Sequence, residues 1–173
     1  MLRHMVESLM RYLLLLLLTA WMSVSGAFAQ STPESPTLRL INFTADWCPN
    51  CQALNPKIEE AMETLTFGTV ERVDLDMTGA HRSASEEEKA VAWNNAVRLA
   101  DSKKAGYLWD WYGGVTGIAV IISADNGEPI SCVNRTHSTN DIIARFREAE
   151  VISLRRTPGS RMPNGPECPP PFR

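Results

Sequence analysis

The stretch from Phe43 to Cys51, reading Phe-Thr-Ala-Asp-Trp-Cys-Pro-Asn-Cys, constrains this chain more than any other. It closes the apolar run Leu38 to Ala45 and leads into Ala53, Leu54, Ile58, Ala61, Met62 and Leu65, which recur at helical spacing. A strand that turns directly into a helix places the first cysteine at a helix N-terminus. There, unpaired backbone N–H groups and the positive end of the macrodipole favour a thiolate. Cys48 is therefore the expected nucleophile, and Cys51, one turn further on, the expected resolving thiol. Pro49 falls at the first helical position, where its missing N–H costs nothing. The bland alternative, half a zinc site, lacks a second Cys-x-x-Cys or Cys/His pair to complete four ligands.

Ala45-Asp46-Trp47-Cys48-Pro49-Asn50-Cys51, followed by Pro56, resembles the active-site segment of thioredoxins and of exported disulfide-interchange domains. The resemblance extends over roughly residues 38 to 150, dense in the first third and looser beyond. It implies an α/β fold of the minimal thioredoxin-like kind, a mixed four-stranded sheet with helices on both faces. It also implies a redox-active centre that needs no cofactor and acts on protein thiols or disulfides.

Three positions depart from the pattern of that family. Asn42 stands five residues before Trp47, where thioredoxins bury an Asp that manages the proton of the resolving thiol; an amide can hold a hydrogen bond but cannot accept that proton. Gln52 replaces the basic residue that usually follows the second cysteine. Thr116 occupies the place of a cis-proline, and because a cis bond before a non-proline residue costs roughly 3 kcal/mol, a trans peptide is expected there. The site is thus expected to comprise Cys48 and Cys51, supported by Trp47, Pro49, Asn50, Asn42 and Thr116.

The N-terminus reads as a targeting segment. Arg3, His4 and Arg11 precede the run Leu13 to Leu18, and Ala27-Phe28-Ala29 forms an A-x-A site, so residues 1–29 are expected to be a secretory signal peptide. An uncleaved anchor is the rival, weakened by Ser23, Ser25 and Gly26. Export, to the periplasm or out of the cell, would place all four cysteines in an oxidising compartment. A membrane partner is expected only if the segment stays uncleaved. With a net charge of −3 and an ordinary charged fraction, nothing suggests nucleic acid.

Residues 30–37 form a short polar leader, 38–154 the thioredoxin-like domain and 155–173 a basic, proline-rich tail expected to be disordered. Within the domain, Val70, Val73, Leu75 and Met77 suggest a second strand, parallel to the first through the intervening helix. Ser85 with Glu88 makes a capping box, so the acidic triplet Glu86 to Glu88 reads as a helix start rather than a docking patch. Ala90, Trp93, Val97 and Ala100 are expected on that helix's inner face, with Gly106 as its terminating residue. Tyr107, Trp109, Trp111 and Tyr112 are expected in a loop, either as a binding surface or as edge-of-core packing. Ile118 to Ile122 reads as a buried strand, Asp125-Asn126-Gly127 as a hairpin turn and Pro129 to Val133 as an antiparallel edge strand. Ser138 with Asp141 opens the last helix, giving the order β-α-β-α-β-β-α. Cys132 and Cys168 make an even total with the other two cysteines, and a bridge between them would pin the tail to the sheet edge.

Two further functions fit these residues. Soft thiolates at Cys48 and Cys51 could hold Cu(I), exposed by the loss of the proline at Thr116, with His81 or His137 as weak candidate ligands. A non-catalytic interaction module could have kept the fold and used the aromatic segment and basic tail as contacts. The retention of both cysteines favours thiol–disulfide exchange, although Pro49 and Asn50 do not set its direction.

Overall fold

A computed structural model describes residues 35–65, 70–155 and 168. The expected signal peptide, residues 30–34 of the leader and all of the tail except Arg155 and Cys168 lie outside the described residues.

Strand β1 (Leu38–Thr44) is the organising element. It is buried along nearly its whole length because it lies inside the sheet order β2-β1-β3-β4 and is covered on both faces. Helix α1 (Pro49–Glu63) carries the chain to β2 (Val70–Asp76), which pairs parallel with β1 and sets Asn42 opposite Asp74 and Phe43 opposite Leu75. Strands β3 (Ile118–Ser123) and β4 (Pro129–Asn134) complete the sheet as an antiparallel hairpin. Gly127 makes the turn possible: its φ of +80° is left-handed, and a Cβ there would lie 2.1 Å from the carbonyl oxygen of Lys104.

Alternation along the strands divides the core in two. Ile41, Phe43, Val73, Leu75 and Val120 face helices α2 (Glu86–Ser102) and α3 (Gly106–Tyr112). Leu38, Leu40, Ala119 and Ile121 face Leu54 and Ile58 of α1, and Ile142 and Phe146 of α4 (Thr139–Arg155). The mixed α/β sheet with helices on both faces is thus the thioredoxin-like architecture expected from the sequence.

Both helix starts behave as their side chains dictate. Ser85 Oγ accepts the Glu88 N–H while Glu88 returns its carboxylate to the Ser85 N–H. Ser138 and Asp141 repeat the arrangement at α4. These neutral donors hold the Glu88 and Asp141 carboxyls below their ordinary range.

Three expectations are corrected. The inner face of α2 is Ala92, Ala96 and Ala100, whereas Ala90 is exposed and Trp93 is 39% exposed. Small side chains let α2 approach closely, with a Cβ placed on Gly79 only 3.3 Å from that of Ala92. The helix ends through Lys104 at φ +60° rather than through Gly106; the Ala105 N–H reaches back to the Ala100 carbonyl and the Lys104 N–H to that of Asp101, satisfying the last turn. Gly106 instead opens α3, so the aromatic segment is a short helix and not a loop. Its rings are core packing: Trp109 stacks on Phe43 at 6.4 Å, Tyr112 meets Phe43 edge-on at 6.1 Å, and Trp93 covers Trp109 at 5.4 Å.

Cys132 and Cys168 form a disulfide, with Cα atoms 5.1 Å apart. Cys132 is fully buried, and Cys168 packs against the core on the α2 and α3 side of the sheet.

Candidate active site at the start of helix α1

The end of β1 delivers the chain to a turn in which the Cys48 N–H bonds to the Ala45 carbonyl at 3.1 Å. Cys48 is the N-cap of α1, in extended conformation (φ −89°, ψ 112°), and its Sγ accepts the Cys51 N–H at 3.1 Å. Sulfur here takes the place of the oxygen that usually caps a helix, so one unsatisfied donor of the first turn points at Cys48 Sγ. Pro49 follows as the first helical residue, as expected.

Cys48 and Cys51 are joined as a disulfide with Cα atoms 5.2 Å apart. Both residues are enclosed, Cys48 at 4% exposure and Cys51 at 1%, so the contrast expected between an exposed and a buried thiol is slight in the disulfide form. Cys51 Sγ lies 3.9 Å from the Phe43 carbonyl oxygen, deep in the turn, whereas Cys48 sits on its rim between exposed Trp47 and Pro49.

Trp47, 45% exposed, is held by its indole N–H, which donates to the Thr78 carbonyl at 3.0 Å. The Thr78 hydroxyl also accepts the Asp46 N–H at 3.0 Å, and Gln52 donates to the Asp46 carbonyl at 2.7 Å. The turn carrying the cysteines is therefore clamped by the 3₁₀ segment Thr78–Ala80. Thr78 could not be named from spacing, because it lies on a connection that only the parallel β1–β2 register brings alongside.

Asn42 is 1% exposed and its amide donates twice, to Asp74 Oδ1 at 2.7 Å and to Asn55 Oδ1 at 3.1 Å. Asn55 in turn donates to Thr44. Asn42 Oδ1 is buried and has no hydrogen-bond partner among the described residues. The partner of the Asn42 amide on the neighbouring strand is thus a carboxylate, that of Asp74, which stands opposite it in the β1–β2 register.

Thr116 is half-buried and, with every described peptide bond trans, its preceding bond is trans as expected. The next residue matters as much. Gly117 has φ +87°, its N–H donates to the Phe43 carbonyl at 2.8 Å, and a Cβ there would stand 2.4 Å from that of Asn50. The loop before β3 therefore closes directly onto the Cys-Pro-Asn-Cys turn, and only glycine fits at the contact.

No group of three or more His, Cys, Asp or Glu side chains that could hold a metal ion occurs among the described residues. His81 bonds to Ser83, and His137 is buried against Asn134. Neither joins the two thiols as a third ligand.

The thioredoxin family model matches residues 20–92, a span that contains β1, the dithiol turn, α1 and β2. No functionally curated protein matches the chain. Among solved structures, it is similar to StoA of Bacillus subtilis at 14% identity, covering 65% of this chain and 84% of that one with a TM-score of 0.42. It is also similar to a thioredoxin-related protein of Neisseria meningitidis serogroup B, at 13% identity, 70% and 88% coverage and a TM-score of 0.42. Thioredoxin-2 of the malaria parasite is a third likeness, at 15% identity, 65% and 82% coverage and a TM-score of 0.38. With the family model seated on residues 20–92, which carry the Cys-x-x-Cys turn, and with that turn built at the N-terminus of α1, this part of the chain is similar to thioredoxins.

Proposed function

We propose that this protein is an exported thiol–disulfide oxidoreductase whose working groups are Cys48 and Cys51. The single observation that carries the reading is the position of Cys48 as the N-cap of α1, its sulfur accepting the Cys51 N–H. A thiolate at that atom is stabilised by the helix terminus and stands within bonding reach of its resolving partner.

In the reducing direction, Cys48 thiolate attacks one sulfur of a partner's disulfide, forming a mixed disulfide and releasing the partner's other sulfur as thiolate. Cys51, having lost its proton, attacks Cys48 Sγ, closes the intramolecular disulfide and releases the second partner thiolate. The partner gains two electrons, and the Cys48–Cys51 pair gives them up. The opposite direction runs the same bonds in reverse, from the disulfide form. The Cys51 proton passes to solvent as the mixed disulfide forms; Trp47, Pro49 and Asn50 shape the rim, and Gly117, next to Thr116, closes against Asn50.

Export, to the periplasm or beyond the cell, rests on the signal-peptide pattern in residues 1–29. No helix among the described residues is long and apolar enough to cross a membrane. The copper reading is the weaker one: Cys48 and Cys51 are joined as a disulfide, and among the described residues neither His81 nor His137 converges on them.

Equilibration with glutathione redox buffers, followed by mass spectrometry of the trapped thiols, gives the potential of the Cys48–Cys51 pair, and insulin turbidity reports the reducing direction. Inertness toward both disulfides and dithiols would remove this function.

A further inference from the structure

The outer edge of β2 and the exposed face of α2 enclose an open groove of about 570 Å³ that the dithiol chemistry leaves unused. Four acidic residues line it, Asp74, Asp76, Glu87 and Glu88, and no lysine or arginine does. Between them lies an apolar strip that includes Val91, 55% exposed, and Leu99, 36% exposed. Asp76 and Glu88 accept hydrogen bonds from Thr78 and Ser85, neutral donors that leave both without an ion pair to Lys or Arg among the described residues, while Asp74 is matched in part by Arg72. β2 is also an edge strand: β1 pairs with its inner side, and no strand lies beyond its outer side among the described residues. An open edge offers backbone N–H and C=O groups to an extended segment.

One end of the groove is Gly79, next to Thr78, the residue that holds Asp46 and the Trp47 indole. A chain lying along β2 is thereby led toward the turn that carries Cys48.

We propose that this groove docks an extended cationic segment of the partner protein, in which Lys or Arg alternates with small apolar residues. Alternation follows from strand geometry: one set of side chains meets the apolar strip of α2, and the other meets Asp74 and Asp76, which alternate to the opposite face of β2, while Glu87 and Glu88 add negative charge at the head of α2. The binding half of the proposal stands on the groove alone; its use in presenting a disulfide to Cys48 rests on the exchange function above.

The test titrates the oxidised protein with two short fluorescent peptides, one alternating Lys and Val, the other Glu and Val. The Lys/Val peptide is expected to bind at least about ten-fold more tightly, to weaken with added salt and to shift the amide resonances of Asp76 and Val91. The double change Glu87→Lys with Val91→Lys is expected to abolish the preference, and Glu87→Gln alone, which preserves the helix start, to reduce it. Equal binding of the two peptides would overturn the proposal, as would a preference that survives both variants, or resonance shifts explained by dimerisation of the free protein. These readouts need no exchange activity. With a disulfide appended to the Lys/Val peptide, its rate advantage over a small-molecule disulfide should vanish in the double variant while the small-molecule rate stays unchanged. Absence of both rates would count against the exchange function and leave the binding result standing.

Discussion

Replacing Asn42 by Asp would restore the residue that thioredoxins carry at this position, yet the surroundings here are built for an amide. The Asn42 side chain donates to Asp74 Oδ1 at 2.7 Å and to Asn55 Oδ1 at 3.1 Å, and it is 1% exposed. An ionised carboxyl in its place would donate nothing and would face the Asp74 carboxylate. Two unit charges about 4 Å apart repel by about 4 kcal/mol at an effective dielectric of about 20. The Arg72 guanidinium on Asp74, and the 42% exposure of the Asp74 side chain, screen part of this. Asn55 can turn its amide to donate. We therefore expect Asn42→Asp to lower stability by about 2–4 kcal/mol at neutral pH, measured by urea denaturation of the disulfide form. The sign of the pH dependence follows. The introduced carboxyl has its folded-state pKa raised above the unfolded value of about 3.9, so the folded state holds the extra proton and the penalty grows as pH rises between the two. As pH falls, the carboxyl protonates, donates to Asp74 in place of the lost amide, and the penalty fades. Adding Asp74→Asn supplies a donor instead of a like charge, and the double-mutant cycle is expected to show a favourable coupling of about 2 kcal/mol. A pH-independent cost, or a coupling below about 0.5 kcal/mol, would refute the assignment of Asp74 as the partner of Asn42.

Burial alone would raise the Glu71 carboxyl, but hydrogen bonds from Lys103 and Arg39, with their charges, hold it below its ordinary range. Its stabilisation is present above the unfolded value of about 4.3 and lost as pH falls through the lower folded value, so Glu71→Gln is expected to cost about 1 kcal/mol at pH 7 and to match the parent in acid melts. Gly117→Ala places a methyl group 2.4 Å from the Asn50 Cβ at a left-handed φ, and is expected to lower stability by at least about 1 kcal/mol and to alter the Cys48–Cys51 potential together with it. Removing the Cys132–Cys168 bridge by a double change to Ala opens a link across 36 residues, with an expected loss of up to about 4 kcal/mol in urea melts under non-reducing conditions. Thr116→Pro is expected to retain or raise insulin reduction; a selective loss of Cu(I) binding with unchanged exchange kinetics would instead favour the metal reading.

The parts of the fold legible in the sequence were those signalled by local chemistry. Ser85 with Glu88, Ser138 with Asp141, the Asn126-Gly127 turn and the Trp47–Cys51 motif each act within one or two helical turns, and each is found where its residues point. What failed depended on partners distant in the chain. The inner face of α2 was misplaced because Ala92, Ala96 and Ala100 carry little hydrophobic signal, whereas Trp93 carries much and spends it on Trp109 at the margin of the core. The α3 aromatics hid a helix because seven residues hold too few turns for a period to show, and Gly106 at its start reads as a terminator. At the site, Cys48, Cys51 and Asn42 were identifiable from spacing. Asp74 and Thr78 were not, since the parallel register of β2 and the segment after it is a tertiary fact.

The central claim is that Cys48 attacks and Cys51 resolves, and it is tested most directly by intact-mass spectrometry of single-cysteine variants. Reduced Cys51→Ser, mixed with a disulfide-bonded peptide, is expected to accumulate a stable adduct on Cys48, released by dithiothreitol and mapped by proteolysis. Reduced Cys48→Ser under the same conditions is expected to remain unmodified at Cys51, which lies deeper in the turn against the Phe43 carbonyl. Adducts of equal yield on both variants, or on neither, would contradict the account.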